Sequence, residues 1–164
     1  MNTSSRFRRR PRSAGIVAVL ALSGALTGCG LSVPADPNGT LDAVTGGELR
    51  VGTSPDGTLV EVRDGVPSGS IVELVDDYAQ SIDAEPDWTV ASEESLVTML
   101  EDGELDLVAG GITAKTPWLE RAGVSRGYTG IEGADGREIV MLVPLGENAF
   151  LSSLETFLDA EVGS

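Results

Sequence analysis

The residues able to do chemistry fall at three places in the chain. Cys29 is the only thiol among 164 residues, and it closes Leu26-Thr27-Gly28-Cys29 directly after an apolar run. A thiol held there is a nucleophile at a membrane surface. Ser54 and Asp56 stand in a Ser-Pro-Asp-Gly turn, and Gly110, Gly111 and Thr113 in a second loop of small residues. Hydroxyls, one carboxylate and backbone N–H groups bared by glycine suit the non-covalent binding of a small polar or cationic solute. Each also reads as an ordinary tight-turn residue. Trp118, in Thr-Pro-Trp, offers a ring for a cation or an anchor for the core. Arg121, one helical turn on, offers a clamp for a carboxylate if that turn faces the ligand.

Composition narrows the chemistry further. The chain has no His, so it holds no Ser-His-Asp triad, Cys-His pair or His-ligated zinc. A single Cys makes no internal disulfide or CxxC centre. A net charge of −15 argues against nucleic acid, whose affinity rests on Lys and Arg. The glycine stretches match neither a Walker loop nor a dinucleotide fingerprint, and no calcium loop occurs. The acidic pairs Asp76-Asp77, Glu93-Glu94 and Glu101-Asp102 read as solvated helix faces. No cofactor, metal or enzyme activity is expected.

The elements that would position these residues alternate between strand and helix. Glu48–Thr53 reads as a strand, and Leu59–Arg63 as another closed by Asp64-Gly65. Ile71, Leu74, Val75, Tyr78, Ala79 and Ile82 recur at helical spacing, with Ser70 as N-cap. Pro86–Val90 is a strand with Trp88 facing the core. Ser92 caps a helix carrying Leu96, Val97 and Leu100, with acids in its first turn and Gly103 at its end. Leu105–Ala109 is a strand with Asp106 as a fold-specific polar residue. Thr116-Pro117 starts a short helix through Arg121. Glu138–Val143 is an apolar strand, and Asn148 caps a last helix bearing Phe150, Leu151, Leu154, Phe157 and Leu158. This order predicts an α/β fold with a mixed, mostly parallel sheet flanked by helices. Ligands of such sheets bind at the carboxyl ends of the strands, which selects the loops after Thr53 and Ala109.

The charge is segregated. Arg6, Arg8, Arg9, Arg10 and Arg12 precede an apolar run from Ala14 to Leu26 that is too short to span a bilayer. Residues 1–28 therefore read as a secretory signal. Leu26-Thr27-Gly28-Cys29 resembles a bacterial lipobox, which implies that Cys29 carries acyl chains and anchors the chain to the extracytoplasmic face of the cell membrane. Without residues 1–28, six basic residues remain against all 26 acids. Val33 to Gly47, rich in Pro, Gly, Thr and Asp, reads as a flexible tether, so that 29–47 links the lipid to a folded domain over 48–162.

Three segments resemble extracellular solute-binding proteins of family 3, the polar amino-acid-binding lipoproteins of ABC transporters. Leu49-Arg50-Val51-Gly52-Thr53-Ser54-Pro55 is similar to the family's first strand and loop, and Gly69–Ala79 to its first helix. Most specific is the stretch from Leu100-Glu101-Asp102-Gly103 through Asp106 and Gly110-Gly111-Ile112-Thr113. Val124-Ser125 and Gly127-Tyr128 are similar to its Phe-Ser-x-Pro-Tyr strand end. The resemblance implies a periplasmic-binding-protein type II lobe. It also implies an Arg five positions after Thr113, where Trp118 stands, an acid where Ser54 stands and a stacking aromatic where Gly57 stands. The α-amino-acid pocket is thus not carried over. Only residues 129–164 follow Tyr128, enough for a return strand and a helix but not for a second lobe.

The expected function is a membrane-anchored solute-binding module of one lobe, with a membrane permease as a possible partner. The alternative is an interaction or sensor domain that docks on a membrane partner and binds no solute. A single lobe also leaves a face open to homodimerisation.

Overall fold

The computed structural model describes residue 1 and residues 35–163. The expected signal over 1–28 and the lipidated Cys29 lie outside the described residues. Every element below belongs to the unit Val33–Ser164.

The elements run α1 (Thr40–Val44), β1 (Glu48–Thr53), β2 (Glu61–Arg63), β3 (Val66–Ser68), α2 (Ser70–Ser81), β4 (Glu85–Val90), α3 (Glu93–Glu101) and β5 (Leu107–Val108). A single 3-10 turn (Pro117–Glu120) follows, then β6 (Gly123–Val124), β7 (Leu142–Val143) and α4 (Asn148–Glu161). Five strands form one sheet in the order β4-β1-β5-β7-β6. β1 pairs in parallel with β4 and β5, while β7 runs antiparallel to both β5 and β6. The mixed α/β lobe expected from the sequence is the one observed.

Alternation along the strands places the core on both faces of the sheet. Leu107 joins a cluster with Leu49, Val51, Ile71, Val75, Tyr78, Phe150 and Leu154, covered by α2 and α4. Val108 joins Leu96, Val97, Leu100, Val140 and Leu142 on the other face, covered by α3. Each such buried aliphatic side chain contributes about 1.5–3 kcal/mol relative to exposure.

Two strands are shorter than their apolar runs. Of 105–109 only Leu107–Val108 is strand, because at Asp106 a side chain completes the ladder. The Asp106 carboxylate accepts the Arg50 backbone N–H at 3.0 Å and the Arg50 Nε at 2.9 Å. Of 138–143 only Leu142–Val143 is regular. Ile139 is instead shared between two single bridges, to Thr113 and to Tyr128.

Asp64 and Gly65 close a β2–β3 hairpin with φ of 53° and 81°, the left-handed pair that a two-residue hairpin turn needs. β3 itself had no signal in the sequence beyond that turn. Ser92 caps α3 as expected, accepting the Ser95 N–H at 3.3 Å.

Three expectations are corrected. Ser70 is the first residue of α2 and not its cap; Gly69 precedes it without a side-chain bond, and Ser70 Oγ donates to the Glu132 carbonyl at 2.7 Å. Asn148 does not cap α4. The Asn148 and Ala149 N–H groups donate to the Ala35 carbonyl at 2.8 and 3.1 Å, and Asp36 accepts from Phe150 N–H at 3.4 Å. Residues 35–47, expected as part of the flexible tether, are therefore packed. Val44 lies in the core, and the buried Glu147 carboxylate accepts the N–H groups of Asn38 and Thr40 at 3.0 and 3.1 Å. An N-terminal segment that satisfies the orphan donors of another helix is part of the fold.

Among the described residues no helix is long and apolar enough to cross a membrane.

Candidate functional site

β1 and β5 lie side by side in parallel, so the loops after Thr53 and Ala109 meet at one edge of the sheet. The ion pair of half-exposed Arg50 with buried Asp106 fastens these two strands below that edge. Thr53 is wholly buried there, and its hydroxyl has no hydrogen-bond partner among the described residues. Such a group costs about 1–3 kcal/mol when left unpaired. A Cβ on Gly110 would sit 3.6 Å from that hydroxyl oxygen and from the Ser54 carbonyl.

Asp56 holds the loop as a turn residue. Its N–H donates to the Val60 carbonyl at 2.9 Å, and its carbonyl accepts from Leu59 N–H at 3.0 Å. Its carboxylate nevertheless points across the site. A Cβ built on Gly111 would lie 1.3 Å from Asp56 Oδ2, so only glycine admits the carboxylate at that position. The carboxylate accepts from Arg137 Nη1 at 2.9 Å and Nη2 at 3.2 Å, while Arg137 Nε donates to the Ala134 carbonyl at 3.2 Å. The hydrogen bond to Asp56 raises the Arg137 guanidinium above its ordinary value.

Beside this pair opens a cleft of about 400 Å³, walled in part by Thr113, Lys115, Thr129, Arg137 and Glu138. A second open cleft of about 470 Å³, with Thr58, Ser70, Glu73 and Glu132 in its walls, has carboxylates and no basic side chain.

The structure thus brings Ser54, Asp56, Gly110, Gly111 and Thr113 to one edge. Trp118 and Arg121 go elsewhere. Trp118 is half-buried against the α3 cluster, and its Nε1 donates to Glu93. Of its two readings the core anchor fits. Arg121 stacks on it, with the guanidinium carbon 5.3 Å from the ring centroid. Arg121 also donates from Nε to Glu101 Oε1 at 2.9 Å and from Nη2 to Thr98 at 3.3 Å. The bond to Glu101 raises Arg121 and lowers Glu101. Arg121 is committed to α3 and does not line the cleft. Trp88 is half-buried rather than fully in the core, with its Nε1 on Asp76 at 3.2 Å.

Sequence reasoning passed over Lys115 and Arg137. Lys115 is the only lysine of the chain, two residues after Thr113, which was a usable signal. Arg137 directly precedes the return strand, and no spacing rule links it to Asp56.

No family model and no curated protein matches the sequence. Solved structures do. The arginine-bound form of domain 1 from TmArgBP superposes with a TM-score of 0.60 at 21% identity, over 69% of this chain and 92% of that one. A Salmonella typhimurium periplasmic binding protein described for high arginine specificity gives 0.59 at 13%, over 71% and 94%. An ancestral arginine-binding protein bound to arginine gives 0.59 at 11%, over 72% and 93%. The chain has the fold of a single lobe of this kind, as its sequence resemblance implied.

Proposed function

We propose that this chain, a single lobe with the fold of solute-binding proteins, is an extracytoplasmic module that binds a small polar or cationic solute. The observation that carries the reading is the convergence at the β1 and β5 ends. An orphan buried hydroxyl, a carboxylate seated over Gly111 and an adjoining cleft stand where an open α/β sheet takes its ligand. Ser54, Asp56, Gly110, Gly111 and Thr113 form the floor of the site.

The same proposal places the chain at the cell membrane, with residues 1–28 as a signal, Cys29 as the lipidated residue and a permease as partner. Labelled palmitate should enter the wild-type chain in its native host and not Cys29→Ser.

Thermal-shift and calorimetric screens with amino acids, amines and small acids test the solute reading. A shift with at least one class is expected; an intact fold with no shift from any would sink it. A second reading, a docking domain without a solute, is favoured by one observation: Arg137 already occupies the Asp56 carboxylate. A membrane partner whose capture survives Thr113→Ala, together with a negative screen, supports that reading instead.

A further inference from the structure

We infer that the cleft beside Asp56 holds the carboxylate of its solute, and that Lys115 and Arg137 are the residues that hold it. This rests on the solute-binding reading and gives the ligand a chemical class. The basic side chains of the folded part are Arg50, Arg63, Lys115, Arg121, Arg126 and Arg137, in a chain with 26 acids. In so acidic a field a basic group pairs by default, and all five arginines do. Arg50 meets Asp106, Arg63 meets Glu61, Arg121 meets Glu101, Arg126 meets Glu155 and Asp159, and Arg137 meets Asp56. Lys115 makes no ion pair among the described residues. It lines the same cleft as Arg137 and does not reach Glu138 on that rim.

The donor count agrees. A guanidinium carries five N–H groups. Asp56 takes one from each Nη of Arg137 and the Ala134 carbonyl takes Nε–H, which leaves one N–H on each Nη without a partner among the described residues. The Lys115 ammonium adds three more. An ionised carboxylate only accepts, and it binds such charge-assisted donors strongly. Asp56, already paired, fixes the plane of the Arg137 guanidinium and acts as a positioning residue. The cleft of about 400 Å³ falls at the small end of ligand sites, which suits a solute of amino-acid size. Glu138 on the rim favours an acid that also carries an ammonium over a plain dicarboxylate.

Titration calorimetry on the full chain in mild detergent tests this with matched pairs: L-arginine against agmatine, and L-lysine against cadaverine. Each pair differs by the carboxylate alone. Succinate and inorganic phosphate complete the set. The acid of a pair should bind ~10-fold more tightly than its amine, as one charge-assisted contact implies. Lys115→Ala and Arg137→Gln should each erase most of that ratio, with circular dichroism and Tm reporting an intact fold. Amines that bind as tightly as the acids, or phosphate that outbinds every carboxylate, would overturn the inference while the solute-binding reading stands. So would a ratio unmoved by Lys115→Ala. Binding by no member of the set would overturn both.

Discussion

Two corners of this lobe set an arginine from downstream of β5 on a carboxylate from upstream of it. At one, Arg121 grips Glu101 and stacks on Trp118, against the outer side of α3. At the other, Arg137 grips Asp56 over Gly111, with a cleft beside it. The first corner is built from residues that local spacing made attractive for binding. It is a brace, because the 3-10 turn after Thr116 packs Trp118 on the α3 cluster and carries Arg121 with it. The second is built by a long excursion of the chain from Tyr128 out to Arg137 and back onto Ile139. The same ion-pair chemistry supports a helix in one place and fills a candidate site in the other. Location relative to the strand ends decides between them.

The largest expected effect tests the scaffold that both corners share. Glu147→Ala removes the buried acceptor of the Asn38 and Thr40 N–H groups and should cost about 3 kcal/mol, at ~1–3 kcal/mol for each stranded donor. Urea denaturation measures it. A cost below about 1 kcal/mol would mean that residues 35–47 add little to the fold.

The next contrast separates the corners directly. Arg137→Ala should weaken solute binding by ~10-fold, while Arg121→Ala should change it by less than about two-fold. Calorimetry with the tightest ligand of the screen reads both, and equal effects would erase the distinction. Gly111→Ala should act in the same direction as Arg137→Ala, at roughly three- to ten-fold, because its Cβ displaces the Asp56 carboxylate and frees Arg137. Affinity unchanged in that variant would show that Asp56 does not position the site.

The smallest effect concerns pH and lies in the scaffold. Burial, and next to it the neighbouring Glu147, raises the Asp36 carboxyl above its ordinary 3.8. Its charged form is the costlier one in the fold, so stability is lost as pH rises through that raised value. Burial also pushes Glu147 upward, but the N–H groups of Asn38 and Thr40 outweigh it and hold the carboxyl below its ordinary 4.5. Its stabilisation is present above 4.5 and lost as pH falls through the lowered value. The two trends oppose one another on the acid side, and Asp36→Asn should flatten the fall just above 3.8 while leaving the Glu147 loss in place. Tm against pH for the two chains checks this, and parallel curves would remove Asp36 from the account.

Much of the fold was legible because it follows from local rules. Period-two alternation marked β1 and β4, helical spacing marked α2, and Ser92 and Thr116 marked two N-termini through their own side chains. The caps that failed, Ser70 and Asn148, did so because a distant segment already served the orphan donors. At α4 that segment is Ala35 and Asp36, far away in sequence. The packed stretch over 35–47 was missed for the same reason: apart from Val44 and Leu41, its hold on the fold is a set of hydrogen bonds to the Glu147 carboxylate and the Ile82 carbonyl, which leave no apolar pattern.

By itself, the sequence determined an α/β lobe, the loops of small residues at the ends of β1 and β5, and an acidic chain with one lysine. Those features depend on residue type, short-range periodicity and turn chemistry. Only the tertiary structure decided which arginine faces the cleft. That choice depends on how a strand returning antiparallel to β5 lays the residue before it across a loop fixed much earlier in the chain, and spacing along one segment carries no information about such a meeting.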